Sequence, residues 1–242
     1  MTQNIYDDPI FFGEYARLDR SLQGLDGAPE WPALRALLPD PRGLRVLDLG
    51  CGYGWFCRWA SERGAARVLG IDVSARMLQR ARRDWPADGI EYRRADLEDV
   101  DLPAASFDLV YSSLAFHYVT RLADLAARIH AALVPGGRLV FSVEHPIATA
   151  SHNPTWLQRE PEPIWPVNRY FDEGPRTTRW LVEGVLKQHR MLGTYFEMLR
   201  TAGFTVTHVI EWGPTPEQVA ARPEWATERE RPQFLLVAAV RS

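Results

Sequence analysis

The stretch Asp48-Leu49-Gly50-Cys51-Gly52-Tyr53-Gly54 carries the densest chemical information in the sequence. It sits between a short apolar run, Arg45–Gly50, and a helical pattern that starts at Trp55. Glycines at such a junction let the backbone turn tightly and approach a ligand with no Cβ in between. The helix that follows points its free N–H groups, the positive end of its dipole, at the same place. Asp72 closes the second apolar run, twenty positions after Gly52. At the carboxyl edge of an open α/β sheet, a carboxylate there can accept both hydroxyls of a ribose. Asp72 taken alone could instead be a helix N-terminal charge ahead of Ser74, and Asp96 taken alone a turn residue.

Two nucleotide-type ligands compete for this loop. A G-x-G-x-x-G dinucleotide fingerprint beginning at Gly50 requires a glycine at position 55, where the chain has Trp55. The third small residue of that fingerprint serves close helix–strand packing, which an indole cannot provide. The glycines run G-x-G-x-G instead, which counts against a dinucleotide-dependent oxidoreductase.

Candidates for proton transfer are His117, just past the fourth apolar run, and Glu144 with His145, just past the fifth. All three fall at carboxyl ends of strands, the ligand edge of such a sheet. A histidine in a post-strand loop often only bonds a main-chain carbonyl, so both readings stand. Arg169 and Tyr170 in the following segment, and His189 and Arg190 at the expected start of the next helix, are candidates to hold an acceptor. Arg176 and Arg179 could likewise clamp an anionic group.

The elements that must position these residues alternate. Arg45–Gly50 reads as a buried parallel strand, and Arg67–Asp72, Ile90–Ala95, Phe107–Ser112 and Arg138–Val143 as further strands. Between them, Trp55 to Arg63 and a pattern capped by Ser74 and carrying Met77, Leu78, Ala81 and Trp85 read as helices. Leu122, Leu125, Ala126, Ile129 and Leu133 form a third amphipathic stripe, ended by Pro135-Gly136-Gly137. Strands and helices in this rhythm predict parallel βαβ units in an α/β, doubly wound sheet. A helical leader occupies residues 1–40, with Phe11, Phe12, Tyr15 and Leu18 on one face and a second helix near Trp31 to Leu38. A cofactor-binding half spans 44–145. Residues 146–187 are rich in proline and aromatics and read as a lid-like insert. A helix and two further apolar runs, Phe204–Glu211 and Gln233–Val240, fill 188–242.

Composition bounds the rest. At 242 residues, 46% apolar and 24% charged, the chain fits one large globular domain. A net charge of −3 gives no electrostatic footprint for nucleic acid. The local cluster Arg76, Arg80, Arg82, Arg83, Arg93 and Arg94 is interleaved with acids and reads as a solvated face. Cys51 and Cys57 make no disulfide framework or metal pair and read as small buried residues. Met1 to Phe12 lacks a secretory pattern and no run could span a bilayer, so a cytoplasmic location with no membrane partner is expected. Oligomeric state is left open.

DLGCGYG, the strand-ending Asp72, the later Asp96-Leu97 and LVPGGRLVF together resemble the class I S-adenosylmethionine-dependent methyltransferases, over roughly positions 44 to 143. The resemblance implies a seven-stranded, mostly parallel sheet ordered 3-2-1-4-5-7-6, with an insert after strand 5. It implies S-adenosylmethionine as cofactor and S-adenosylhomocysteine as product. Asp48, Gly50, Cys51, Gly52 and Gly54 would cradle the methionine portion, and Asp72 the ribose. Val73 and Met77 would lie near the adenine, Asp96 would accept from its amino group, and Leu97 would present a main-chain amide. Ser112 would line the methionine side. Leader aromatics fold over the cofactor in many relatives, which makes Tyr6 and Tyr15 candidates; near a sulfonium a ring face gains on the order of 1 kcal/mol. Family members acting on exocyclic base amines usually carry Asp/Asn-Pro-Pro-aromatic after the fourth strand, where this chain has Ser112-Ser113-Leu114-Ala115. A small-molecule methyl acceptor is therefore expected, methylated on O, N or C. A cofactor-binding protein without turnover remains the alternative.

Overall fold

A computed structural model describes residues 3–86, 88–152 and 154–242. The leader comprises α1 (Pro9–Tyr15), α2 (Asp19–Leu22) and α3 (Trp31–Leu37). The alternating part follows as β1 (Arg45–Leu49), α4 (Trp55–Glu62), β2 (Arg67–Asp72), α5 (Ala75–Asp84), β3 (Ile90–Arg94), β4 (Phe107–Ser113), α6 (Leu122–Ala132) and β5 (Leu133–Glu144). The insert holds α7 (Pro146–Thr149) and a hairpin of β6 (Gly174–Trp180) and β7 (Val182–His189). The chain finishes with α8 (Leu192–Thr201), β8 (Phe204–Trp212), α9 (Pro216–Ala221) and β9 (Phe234–Arg241).

The main sheet has seven strands in the order β3-β2-β1-β4-β5-β9-β8. With the hairpin set aside, this is the expected 3-2-1-4-5-7-6. The pairs among β1 to β5 are parallel, and β9 runs antiparallel to both β5 and β8. Both faces are buried, which is why the central strands read as continuous apolar runs. Leu47, Leu49, Ile71 and Val110 pack against α6 and α8 on one face. Val46, Val68, Leu109 and Tyr111 pack against α3 and α4 on the other. Successive residues thus serve opposite layers, as the two-residue period of a strand requires.

Two boundaries differ from the sequence reading. α6 ends at Ala132, and β5 already begins at Leu133, upstream of Pro135-Gly136-Gly137. Leu133 pairs with Phe107 and the register then jumps to Arg138 with Leu109, so the Pro-Gly-Gly turn loops out within the strand. His189 and Arg190 do not open a helix: His189 ends β7 and α8 starts at Leu192. Val185, Lys187 and His189 are buried while Leu186 is exposed, a strand's alternation. No helix among the described residues is long and apolar enough to cross a membrane.

Candidate active site

β1 delivers the chain into the glycine loop, where Gly50, Gly52 and Gly54 all have positive φ. Two of them are required by what lies opposite. A Cβ on Gly50 would stand 2.4 Å from the Ala115 methyl, and one on Gly54 would stand 2.3 Å from the Tyr92 hydroxyl. Gly52 is different: a Cβ there would meet nothing within 4 Å. Its backbone faces a cavity of about 650 Å³ at the carboxyl ends of the strands. Gly54 lines no part of it and starts α4. Asp48 and Cys51 look instead into a recess of about 100 Å³ behind the loop, which shares Gly50, Gly52 and Tyr15 with the main cavity.

Asp72 is fixed by two main-chain donors. Gly52 N–H gives to Oδ2 and Ser74 N–H to Oδ1, both at 2.8 Å. Burial nevertheless lifts its carboxyl to about 6, against the pull of those donors. Asp48, also buried, is lifted to about 7, although the Cys57 thiol donates to it at 3.3 Å. Val73, Met77, Asp96 and Leu97 line the same side of the cavity. Asp96 Oδ1 accepts from the Glu98 amide at 3.1 Å, the turn geometry expected of it.

The leader roofs this end. Tyr6 and Tyr15 line the cavity, with ring centroids 5.3 Å apart. Tyr6 meets the Tyr118 hydroxyl at 3.4 Å, and Tyr15 packs edge-on against Tyr53 and Trp180. Burial raises the pKa of both phenols, so they stay protonated. Asp7 anchors the segment on the N-terminus of α5, accepting from the Ser74 hydroxyl at 2.6 Å and the Arg76 amide at 3.1 Å.

Residues 47–141 match a family model described as a methyltransferase domain. A solved S-adenosylmethionine dependent methyltransferase from Mesorhizobium loti is 56% identical, with a TM-score of 0.87, covering 90% of this chain and 100% of that one. The chain belongs to the S-adenosylmethionine-dependent methyltransferases. An uncharacterised protein of Haemophilus influenzae is 32% identical across 98% of this chain and 96% of its own length. The malonyl-[acyl-carrier protein] O-methyltransferase of Enterobacter lignolyticus is 39% identical, but the match takes in 62% of this chain and 53% of that protein. The methyltransferase cofactor fits the residues present: open space lies before the bare Gly52 backbone, flanked by Asp72 and Asp96.

Of the proton-transfer candidates in this methyltransferase, two reach the cavity. His117 is buried, and its Nδ1 accepts the Glu144 amide at 3.3 Å. Burial lowers its pKa to about 4, so the ring is neutral, with the proton on Nε2. Glu144 ends β5 and takes the Lys187 ammonium at 2.5 Å. Burial opposes its ionisation, but the Lys187 ammonium outweighs it and holds the carboxyl below its usual range. His145 points elsewhere. Its Nδ1 accepts from Ile147 to start α7, and its Nε2 meets Glu211 at 2.9 Å, so it does not line the cavity.

Ser112 is likewise turned away, strapping β4 to β1 through a 2.7 Å bond to the Leu49 carbonyl; its neighbour Ser113, on the opposite pleat, lines the cavity. Arg169 is exposed, and Tyr170 bonds the start of α8 through its hydroxyl at 3.0 Å. His189 is buried between Thr149 and the Tyr170 carbonyl, 2.9 Å from each. Arg190 spends its Nη2 on the Val119 and Thr120 carbonyls. None of these four lines the cavity; Tyr170 ties the insert to α8 and Arg190 ties the end of β7 to the Val119–Thr120 segment, while His189 bonds within the insert. The wall at this end comes instead from Lys187, Trp180, Trp165 and Arg231, with Arg176 and Arg179 of the sequence reading. One signal for Lys187 was present: of 28 basic residues it is the single lysine. Among the described residues no His, Cys, Asp and Glu cluster could hold a metal.

Proposed function

We propose that this enzyme methylates an O, N or C atom of a small molecule held between the strand ends, the leader and the insert. The observation that carries this reading is the continuity of one cavity from Gly52, Asp72 and Asp96 to Glu144, Lys187 and Trp180. In this reading Gly50, Gly52, Asp72, Val73, Met77, Asp96 and Leu97 hold the cofactor, with Tyr6 and Tyr15 over it. Asp48 and Cys51 support the loop from behind. Residues 1–40 act as a cap and 146–187 as a lid.

S-adenosylmethionine supplies a methyl group already activated on a sulfonium. The chain's residues therefore mainly hold the nucleophile in line and keep water out, which is worth effective molarities of ~10⁵ M or more. In this reading Glu144, kept ionised beside Lys187, accepts a proton from an acceptor hydroxyl or amine. His117, neutral with Nδ1 occupied, offers only its Nε2–H, as a donor. The Enterobacter relative's name makes carboxylate oxygens an early acceptor class to screen.

Calorimetric titration with S-adenosylmethionine, S-adenosylhomocysteine and NAD tests the cofactor assignments. Both adenosyl compounds should bind, NAD should not, and Asp72→Ala should weaken them ~10-fold or more through two lost ribose hydrogen bonds. Unchanged binding in the variant would remove Asp72 from the site. Methyl transfer to screened acids, phenols and amines then separates an enzyme of small molecules from one acting elsewhere.

A further inference from the structure

Charge and indole crowd the end of the cavity away from the glycine loop. The Arg231 guanidinium carbon lies 3.9 Å over the Trp165 ring and 5.5 Å from that of Trp156. Its Nη2 meets Glu228 at 3.1 Å, and Glu228 is itself held by Gln233 at 2.6 Å and Trp156 at 3.4 Å. The Arg231 Nε–H is buried and has no hydrogen-bond partner among the described residues. Buried donors are satisfied in most native proteins, and an exception on a cavity wall points to a ligand. Arg176 adds a second feature. It is buried on the same wall, and its contacts run to the main-chain carbonyls of Ala150, Pro175, Arg169 and Asp172. Among the described residues no carboxylate stands within ion-pair distance of it; Asp172 acts only at longer range. Arg176, Arg179, Lys187 and Arg231 against Glu144, Glu183 and Glu228 leave one positive charge in excess. A buried excess charge is unfavourable until a counter-ion arrives.

We propose that this wall is a carboxylate-binding subsite, which takes a small acceptor bearing one carboxylate. The proposal rests on the methyl-transfer reading of the same cavity. The carboxylate docks on the part of the Arg231 guanidinium that lines the cavity, whose plane is set by its stack on Trp165, and the apolar body of the acceptor lies against Trp165 and Trp180. One excess charge matches a monoanion better than a phosphate dianion. Glu144, already ionised, faces the rest of the molecule and favours one that carries a hydroxyl or amine.

The test uses protein saturated with S-adenosylhomocysteine, titrated calorimetrically with 4-hydroxybenzoate, anthranilate and phenylacetate and with their primary amides. Wild type should hold at least one acid about tenfold tighter than its amide. Arg231→Met should erase that preference and leave S-adenosylhomocysteine affinity unchanged. Glu228→Gln removes the competing carboxylate and should tighten the acids, a readout that survives if Arg231→Met does not fold. Equal binding of acids and amides by wild type, a preference that persists in Arg231→Met, or an unaltered preference in Glu228→Gln would each overturn the subsite. Failure of wild type to bind S-adenosylhomocysteine, seen before any acid is added, would instead strike the cofactor reading and take the subsite with it.

Discussion

Asp48 and Cys57 lie side by side beneath the glycine loop, and among the described residues no cation acts to favour the carboxylate. Between the ordinary 3.8 and the buried value of about 7, the folded protein binds a proton at Asp48 that the unfolded chain has released. Stability contributed by Asp48 is therefore lost as pH rises through that window. Asp48→Asn removes the titration, so its melting temperature should gain on wild type from pH 4 to pH 8, by several degrees at the upper end. His117 titrates in the opposite sense but is common to both proteins, so the difference isolates Asp48. A difference that stays flat across that range would show that Asp48 is not held protonated by burial. Asp48 was legible as part of a motif, because glycine-loop chemistry is local. Its orientation away from the main cavity was not, since that depends on α4 bringing Cys57 beneath it. The orientation of Ser112 was hidden for a related reason: strand parity decides which of two adjacent serines lines the cavity, and parity is set by the pairing of β4 with β1.

At the scale of elements, the parallel half was readable because β1 and β2 are short apolar runs ended by a glycine or an acid, and the strands alternate with amphipathic helices. The insert was not readable in detail. Its hairpin turns at Leu181, a non-glycine residue with φ of +63°, so the usual turn signal is missing. The inward row Val185, Lys187, His189 mixes one apolar with two polar residues, which hides the alternation from a hydrophobic pattern. Tyr170, His189 and Arg190 carry polar groups that suit an acceptor, yet each is spent on bonds that hold the insert, while Arg169 is exposed. The leader and hairpin are joined by Gln3, whose amide donates to the Gly184 carbonyl and accepts from the Leu186 amide, both at 2.9 Å. With Asp7 fixed on α5, this second attachment stretches the leader across the cofactor end. Gln3→Ala should weaken S-adenosylhomocysteine binding roughly fivefold, from two lost hydrogen bonds, and should speed proteolysis at the leader. Unchanged affinity and cleavage would mean that Asp7 alone seats it.

Considered as a whole molecule, the cavity has a rigid floor and a roof gathered from distant parts of the chain. The floor is the carboxyl edge of the seven-stranded sheet, buried on both faces. The roof is the leader, the hairpin and the 214–232 segment, tied together by Gln3 on β7, by Arg222 to Asp19 at 2.5 Å, and by Gln218 to the Pro29 carbonyl at 2.8 Å. These ties are few and partly exposed, so the roof opens at lower free energy than the sheet. A ligand beneath it makes contacts with both and suppresses that local opening. At a hundredfold excess over its dissociation constant, S-adenosylhomocysteine should stabilise the fold by ~2.7 kcal/mol, raising the melting temperature by roughly 5 to 10 °C for a chain of this size. In the ligand-free protein, hydrogen exchange should be faster in residues 3–20, 174–189 and 214–232 than in β1, β4 and β5. S-adenosylhomocysteine should slow both groups, the sheet amides by the full ~100-fold of the global stabilisation. Equal exchange rates in the sheet and roof of the ligand-free protein would mean that the two unfold as one unit and that the roof is no separate lid.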